Sequence, residues 1–435
     1  MLDVLKNRTY RNLYMAQVIA LMGTGLITIA LALLAYDFAK EHAARVLGIA
    51  LAIKMIAYIT VAPIASAFAE RLPRKQVLIS LDIVRAATAL CLPFVTELWQ
   101  VYILIFILQS ASAAFTPTFQ AMIPEVLPAE PDYTKALSLS RLAYDLENII
   151  SPLLASLLLT FISYNNLFLG TVLGFIGSAL CVVLTSLPAT TPPLFKGVFN
   201  RVTQGAKIYF NTPRLKALLA LNLAIASASA MVIVNTVVLV QAHFKLSEHA
   251  TTWAFGAFGL GSMLAALLLP KILEKKPDRT VMLSGAFLLS CGLGIGYFAH
   301  NYTHLLMLWF AMGIGYSIAQ TPTGRLIKKS ANPQDRTALF AAQFTFSHAC
   351  WLITYPLVGW FSSSFGVMLA FVPMAIISMV AITAAYFLWP KNDASQLAHD
   401  HDNLSPDHAH QHLKNDHGIH AHEYIIDEYH KHWPK

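Results

Sequence analysis

Residues 66–75 read Ser66-Ala-Phe-Ala-Glu-Arg-Leu-Pro-Arg-Lys75 and form a short charged segment between two long apolar runs. The flanking runs, 46–69 and 77–96, each have about the 20 residues that a helix needs to cross a lipid bilayer. The charged segment is therefore expected to be a tight loop at a membrane surface, joining two spanning helices.

Apolar runs of this length account for most of the 435 residues. Hydrophobic residues make up 56% of the chain and charged residues only 12%, about half the charged share of soluble domains. This composition excludes a water-soluble globular enzyme and a disordered chain. We predict an all-α membrane protein with twelve transmembrane helices. The runs are 12–36, 46–69, 77–96, 99–119, 137–162, 167–187, 217–240, 252–270, 281–299, 304–324, 338–361 and 366–389.

Lysine and arginine are concentrated in alternate loops. If the N-terminus is cytoplasmic, 20 of them fall in cytoplasmic segments outside the C-terminal tail and only three in outer loops. This positive-inside bias predicts that both termini are cytoplasmic, and it accounts for the net charge without a nucleic-acid partner. The first run is longer than a signal-peptide core, so it is expected to remain as the first span.

The runs form two sets of six. Residues 1–187 hold the first set, 217–389 hold the second, and 188–216 form a central cytoplasmic loop. The segment from Phe195 to Phe210 is either an amphipathic helix on the inner membrane surface or a plain basic linker. This 6+6 plan is typical of transporters built from repeats, whose substrate site lies near the midplane between the halves.

The charged loop resembles the signature of the major facilitator superfamily between its second and third spans, Gly-x-x-x-Asp-Arg-x-Gly-Arg-Lys. Ser66 and Pro73 replace the two glycines. The segment from Glu274 to Arg279 is a degenerate echo in the second half and supports an internal repeat. The resemblance implies a gating role for the residues that match in character, which are Glu70, Arg71, Arg74 and Lys75.

Further stretches resemble more specific exporters. Asn7–Tyr14 and Phe115–Pro128 are similar to the drug- and siderophore-exporting branch, while Leu51–Ala65, Gln109–Gln120 and Leu137–Asp145 are similar to nickel-resistance (NreB-type) exporters. Those exporters also end in a histidine-rich tail. The resemblance covers nearly the whole chain. It implies a monomeric nickel or cobalt exporter, not an enzyme, in the inner membrane of a bacterium, with the bilayer, metal ions and protons as its partners.

The tail, residues 390–435, combines ten histidines with eight acids and is expected to be disordered. Neutral imidazoles and carboxylates bind borderline divalent metals, and the absence of Cys and Met argues against Cu(I). The tail could therefore bind nickel, cobalt, zinc or Cu(II). The alternative is a solvated low-complexity tail. No other cofactor is expected. The histidines are His399, His401, His408, His410, His412, His417, His420, His422, His430 and His432.

Charges inside the spans are costly and usually functional. Asp82 and Arg85, and likewise Arg141 and Asp145, are spaced one turn apart and predict ion pairs that hold the inner end closed. Glu147, about 15 Å deep, points away from Asp145 and is the best candidate for a proton- or cation-binding carboxylate. The full set of candidate substrate and proton residues is Glu147, Asp145, Asp37, Lys54, Asn235, Gln343 and His348.

Three functions stay open: a proton-coupled exporter of nickel or cobalt, an exporter of an organic compound such as a drug or siderophore, and a metal sensor or store that transports nothing. Uptake by the same machinery is also open. In the simpler interpretation of the intramembrane residues, Glu147 pairs with Lys54 and His348 bonds only a backbone carbonyl. The chain has no Gly-x-x-x-x-Gly-Lys-Ser/Thr loop, so ATP is not expected to drive transport.

Overall fold

The computed structural model describes residues 1–39, 43–69, 72–186, 198–391, 396–399 and 420–426, together with His430 and Trp433. The described helices are α1 (Arg8–Ala39), α2 (Ala43–Ala69), α3 (Arg74–Cys91), α4 (Leu98–Val126), α5 (Glu130–Leu159), α6 (Tyr164–Val183), α7 (Val198–Asn211), α8 (Pro213–Val237), α9 (Glu248–Leu273), α10 (Asp278–Gly296), α11 (Tyr302–Gln320), α12 (Thr323–Ser330), α13 (Arg336–Phe365) and α14 (Phe371–Leu388). Short 3₁₀ turns cover Leu2–Lys6 and Leu92–Phe94, and a π-helical turn, Val238–His243, extends α8.

Each predicted span coincides with a helix, from α1 to α6, α8 to α11, α13 and α14. Among the described residues, ten helical segments are long and apolar enough to cross a membrane. The predicted spans 137–162 and 338–361 fall on α5 and α13, which are not among these ten. Helix α5 carries six charged residues, and α13 contains four Ser and three Thr residues. For these two helices, membrane crossing stays a prediction.

Helix packing repeats between the two halves. In the first half α1 packs on α6, α2 on α4, and α3 on both α4 and α6. The second half has the same pairs, with α8 on α14, α9 on α11, and α10 on both α11 and α14. This is the arrangement that a 6+6 repeat predicts. The halves meet through α2 and α4 against α13, and through α5 against α9.

One end of the bundle is rich in basic residues. It is formed by segments 72–75, 127–135, 274–279 and 321–336, and we call it the basic end. It matches the side that the positive-inside bias assigns to the cytoplasm. Whether these segments face the cytoplasm stays a prediction.

The amphipathic-helix interpretation of the central loop is confirmed over residues 198–210, and residues 195–197 lie outside the described residues. The apolar face of α7 packs on α13 and α2, where Ile208 and Tyr209 are fully buried. The Tyr209 hydroxyl donates to Oε1 of Gln343 at 2.6 Å. Helix α7 therefore connects both halves and does not rest on lipid alone.

The expectation of a disordered tail is wrong for its described part. Strand β1 (Gln396–His399) pairs antiparallel with β2 (His420–Glu423), and His399 lies opposite His420. Beyond β2, Tyr424 and Ile426 are buried in the hydrophobic core of the second half, because aromatic and aliphatic side chains gain by leaving water. The tail histidines outside the described residues are His401, His408, His410, His412, His417 and His432.

Candidate functional site

A polar and aromatic cluster lies where α2 and α4 of the first half meet α13 of the second. The Tyr58 hydroxyl donates to Oε1 of Gln109 at 3.0 Å. The Tyr58 ring centroid lies 4.9 Å from that of Phe344 and 4.8 Å from that of His348, and Nζ of Lys54 lies 5.5 Å from it. We call these five residues the central cluster. Its position between the halves is where repeat-built transporters bind substrate.

His348 is anchored through one ring nitrogen. Its Nδ1 lies 2.7 Å from the carbonyl oxygen of Phe344, one turn earlier in α13. A carbonyl only accepts hydrogen bonds, so Nδ1 carries the hydrogen. In the neutral ring Nε2 then keeps its lone pair and is available as a ligand or proton acceptor. The backbone contact of the simpler interpretation is present, and it leaves the second nitrogen open to a functional role.

Glu147 lies on α5 beside α1 and is half-buried. A Cβ atom placed on Gly25 of α1 would lie 3.6 Å from Cγ of Glu147. Glu147 makes no ion pair with any described residue, so the direct Lys54–Glu147 pair of the simpler interpretation is not formed. Lys54 is nevertheless close enough for its charge to act on both Glu147 and His348. Lys54 is therefore a common electrostatic neighbour of the candidate carboxylate and the candidate imidazole, and Arg141 also acts on Glu147.

Arg141 and Asp145 form the predicted ion pair, and the pair reaches across the interface. Asp145 is only 2% exposed and accepts from Nε of Arg141 at 3.1 Å. The Ser262 hydroxyl on α9 donates to Asp145 at 2.7 Å. The Arg141 guanidinium also lies 4.5 Å from the ring centroid of Tyr316 on α11. Asp145 therefore joins the halves, and none of its described contacts is to the central cluster.

Asp82 and Arg85 also pair, but entirely within the first half. The Arg85 guanidinium lies 4.1 Å from the ring centroid of Phe115 and 4.6 Å from that of Phe175. A buried charge is tolerated only with such partners. This pair stabilises the first half itself. The two predicted pairs therefore do not act together to hold the inner end closed, because the Asp82–Arg85 pair has no described contact with the second half.

The polar atoms of Asn235 and Gln343 bond residues outside the central cluster. Nδ2 of Asn235 donates to the Ser362 hydroxyl at 2.6 Å. Gln343 accepts from Tyr209, and from Asn222 at 3.3 Å. Asp37 lies within α1, which continues past the predicted end of the first span, and its side chain is outside the described part. Among the described residues, no group of three or more His, Cys, Asp or Glu side chains is arranged to hold a metal ion.

A second site closes the basic end. Arg325 on α12 pairs with Glu130 on α5 and, at 2.8 Å, with Asp278 on α10. Lys329 lies 3.4 Å from Glu130 and 3.0 Å from Asp278. Nζ of Lys328 donates to the Pro128 carbonyl at 2.5 Å. The ion pairs that join the halves in the described part of the chain therefore both involve Glu130. We call Glu130, Asp278, Arg325 and Lys329 the gate cluster.

Opposing effects act on the Glu130 carboxyl. Burial alone would raise its pKa, but the charges of Lys329 and Arg325 together lower the pKa below that of an ordinary glutamate. The carboxylate is therefore held in its charged form, in which it joins the two halves.

The two described basic residues of the charged loop, Arg74 and Lys75, bond residues of the first half. Arg74 pairs with Glu125 at 2.5 Å, and Nζ of Lys75 donates to the Thr185 carbonyl at 2.9 Å. Glu70 and Arg71 lie outside the described residues. The second half has an equivalent pair with the charges exchanged. In the first half the base Arg74 begins α3 and the acid Glu125 lies at the end of α4. In the second half the acid Asp278 begins α10 and the base Arg325 follows α11.

The sequence reasoning missed Tyr58 and Gln109, and it missed the acids of the gate cluster. Glu130 could have been found from the sequence, because it is an acid between two predicted spans on the side where Lys and Arg prevail. The aromatic residues had no such signal, since Phe, Tyr or Trp occurs in eleven of the twelve predicted spans.

Two halves with the same helix packing and polar residues at their interface are typical of transporters built from repeats. The family model described as Major Facilitator Superfamily matches residues 13–238 and 219–416. The chain therefore belongs to the Major Facilitator Superfamily.

Curated relatives include transporters from bacteria. The chain is 24% identical over 286 residues to an uncharacterized MFS-type transporter, YfiS, of Bacillus subtilis, covering 62% of this chain and 67% of that protein. It is 26% identical over 184 residues to macrolide efflux protein A of Streptococcus pyogenes. That alignment covers 41% of this chain and 45% of the relative, so the chain spans less than half the length of the macrolide protein.

Solved structures share the fold at low identity. The human organic anion transporter MFSD10 (TETRAN) superposes with a TM-score of 0.76 at 10% identity, over 87% of this chain and 99% of that one. The fucose:proton symporter FucP in the outward conformation gives a TM-score of 0.68 at 13% identity, over 88% and 99% of the two chains. These likenesses establish the architecture and carry no information on substrate.

Proposed function

We propose that this protein is a secondary active exporter with twelve spans that works by alternating access, with its basic end in the cytoplasm of a bacterium. The family assignment and the efflux relatives support export. The gate cluster supports alternating access, because charged contacts at one end must break before that end opens. The central cluster lies between the halves, where a cargo would be reached from either side in turn.

We infer that the cargo is a divalent transition metal, nickel or cobalt. The observation that carries this inference is the tail, in which ten histidines stand among carboxylates. The end of the tail is fixed to the second half, because Tyr424 and Ile426 are buried there and the Arg214 guanidinium lies 5.1 Å from the Trp433 ring centroid. Metal collected between β1 and β2 would therefore be held near the basic end, beside the path of entry.

In this proposal Glu147 and His348 bind the ion inside the protein, and protons drive its export. Carboxylate oxygen and imidazole nitrogen suit a borderline divalent ion. Lys54 balances the Glu147 charge while no metal is bound. Moving a divalent cation out against the membrane potential costs about 4.6 kcal/mol per 100 mV. Exchange for two protons cancels this electrical cost, so proton antiport is the expected coupling.

Export of an organic compound is the second candidate. The rings of Tyr58 and Phe344 and the cation of Lys54 form a surface that suits an amphiphilic or anionic organic molecule. The macrolide efflux proteins among the relatives are compatible with such a cargo. A metal sensor or store that transports nothing is the third and least favoured function, because it leaves the central and gate clusters without a role.

The experiment is transport in proteoliposomes with an imposed proton gradient, comparing Ni²⁺, Co²⁺ and Zn²⁺ with a macrolide and an organic dye. We expect nickel or cobalt flux that collapses when an uncoupler dissipates the gradient. Flux of the organic compounds alone would replace the metal proposal by the second candidate. Metal flux that persists without any gradient would refute antiport. No flux of any compound would favour the sensor.

A further inference from the structure

A basic pocket lies at the basic end of the second half. Its volume is about 390 Å³, and it is lined by the connection from α9 to α10, the start of α10, α12 and Lys391, which lies three residues after α14. The basic side chains that line it are Lys275, Lys276, Arg279, Arg325, Lys329 and Lys391. Its two acids are Glu274 and Asp278. The pocket is separate from the central cluster, and it shares Asp278, Arg325 and Lys329 with the gate cluster.

The basic side chains that line the pocket outnumber its acids by six to two. Asp278 is already paired with Arg325 and Lys329. In the described part of the chain, Lys275, Lys276 and Lys391 make no ion pair, and all three are exposed. Glu274 alone remains to balance three ammonium groups. The pocket therefore attracts an anion.

Arg279 forms a fixed wall of the pocket. Its Nε donates to the Trp389 carbonyl at 3.1 Å, and its Nη2 donates to the Tyr386 carbonyl at 3.0 Å. Its guanidinium lies 4.8 Å from the ring centroid of Tyr386. These contacts tie the start of α10 to the end of α14, so the basic residues after α14 and before α10 stay together.

The helix ends next to the pocket are apolar and exposed. On α9, Leu268 is 49% exposed and Ile272 is 37% exposed, and on α14 Phe387 is 78% exposed. Exposed apolar side chains of a spanning helix face acyl chains. The pocket therefore opens at the level of lipid headgroups, with acyl-binding surface directly beside it. A ligand that satisfies both features is an amphiphile with an anionic head.

We propose that this pocket binds the phosphate-bearing headgroup of an anionic phospholipid. Lys275, Lys276 and Lys391 contact the headgroup, and its acyl chains lie along the exposed faces of α9 and α14. Basic pockets between spanning helices on the cytoplasmic side are a known form of lipid recognition. Because Arg325 and Lys329 belong to both the pocket and the gate cluster, the bound headgroup lies next to the ion pairs that join the halves. The proposal holds for either cargo.

Lipid binding is measured on the detergent-solubilised full chain by native mass spectrometry, with phosphatidylglycerol and phosphatidylcholine of identical acyl chains. The test variant is Lys275→Gln with Lys276→Gln and Lys391→Gln. The matched control removes the same charge from predicted cytoplasmic segments outside the pocket. It combines Lys6→Gln, Lys207→Gln and Lys216→Gln. Circular dichroism checks that each variant is folded, and Lys391→Gln alone serves if the triple variant is not.

Each lysine near an anionic lipid surface contributes about fivefold in affinity. We expect wild type to bind phosphatidylglycerol at least about tenfold more tightly than phosphatidylcholine, and the triple variant to lose that preference. The affinity of Lys391→Gln for phosphatidylglycerol should fall about fivefold. The affinity of the control should stay within about twofold of wild type. Unchanged phosphatidylglycerol binding by the pocket variants would overturn the proposal. Displacement of the lipid by millimolar inorganic phosphate would also overturn it, because the site would then recognise free phosphate.

Discussion

Substituting Glu130 by Gln is expected to loosen the basic end without unfolding either half. In the described part of the chain, Glu130 is the acid of both ion pairs between the halves, with Arg325 and with Lys329 at 3.4 Å. The substitution keeps the size of the side chain and removes its charge. Arg325 and Lys329 retain Asp278 as a partner, so neither cation is left uncompensated.

The magnitude follows from exposure. The Glu130 side chain is 46% exposed, so each pair falls in the range of about 0.2–1 kcal/mol for solvent-screened ion pairs. Two such pairs sum to about 1 kcal/mol, which corresponds to about a fivefold rise in the open population. Breaking the buried Arg325–Asp278 pair instead would cost about 3–5 kcal/mol, because a buried charge would lose its partner.

Hydrogen exchange in nanodiscs measures this opening. The informative amides are those of α12, residues 323–330, because this helix lies in the second half and carries Arg325 and Lys329, the two partners of Glu130. Their exchange should become about fivefold faster if opening of the basic end exposes them. The matched control is Asp132→Asn, since Asp132 is in the same first turn of α5 but pairs with Lys135 of its own half.

Acid should have the same effect as the substitution. A carboxyl whose pKa is lowered in the closed state stabilises that state fully above its ordinary pKa, about 4.3. This contribution is lost as the pH falls through the lowered value. The reasoning fails if α12 exchange in Glu130→Gln stays within twofold of wild type, or if Asp132→Asn accelerates it equally.

Three further predictions concern the site, the central loop and the tail. Glu147→Gln and His348→Ala should each reduce metal flux in proteoliposomes at least about tenfold at normal expression, since each removes a ligand of the proposed site; wild-type flux in both would exclude that site. Gly205→Ala should destabilise the protein by about 1–3 kcal/mol in a thermal or denaturant assay, because its new Cβ would lie 2.2 Å from the Ala338 carbonyl oxygen. The control Gly256→Ala should leave the stability unchanged, because nothing lies within 4 Å of its new Cβ. Equal stabilities of the two variants would exclude tight docking of α7. Replacing residues 400–419 by Asn-Gly, a turn that suits the β1–β2 register, should lower the bound nickel in equilibrium dialysis and leave partial resistance; unchanged nickel binding would remove the storage role.

The sequence alone was sufficient for the helices and for the ion pairs within a helix. Helix positions follow from apolar runs, because a span must bury its own backbone hydrogen bonds in lipid. Arg141–Asp145 and Asp82–Arg85 follow from the i, i+4 and i, i+3 spacing of one helix, which needs no knowledge of neighbours. The amphipathic stretch of α7 was visible for the same reason, although its partner was not.

Tertiary structure decided which of these residues meet. Asn235 and Gln343 have the depth and chemistry of ligands, yet their polar atoms contact Ser362 and Tyr209, and depth along one helix does not fix the direction a side chain faces. Tyr58 stands beside His348, and Glu130 beside Arg325, only because two separately formed halves come together at one interface. These residues are 290 and 195 positions apart in the chain. Their contacts depend on how the packed surfaces of both halves fit, and no local periodicity in the sequence encodes that fit.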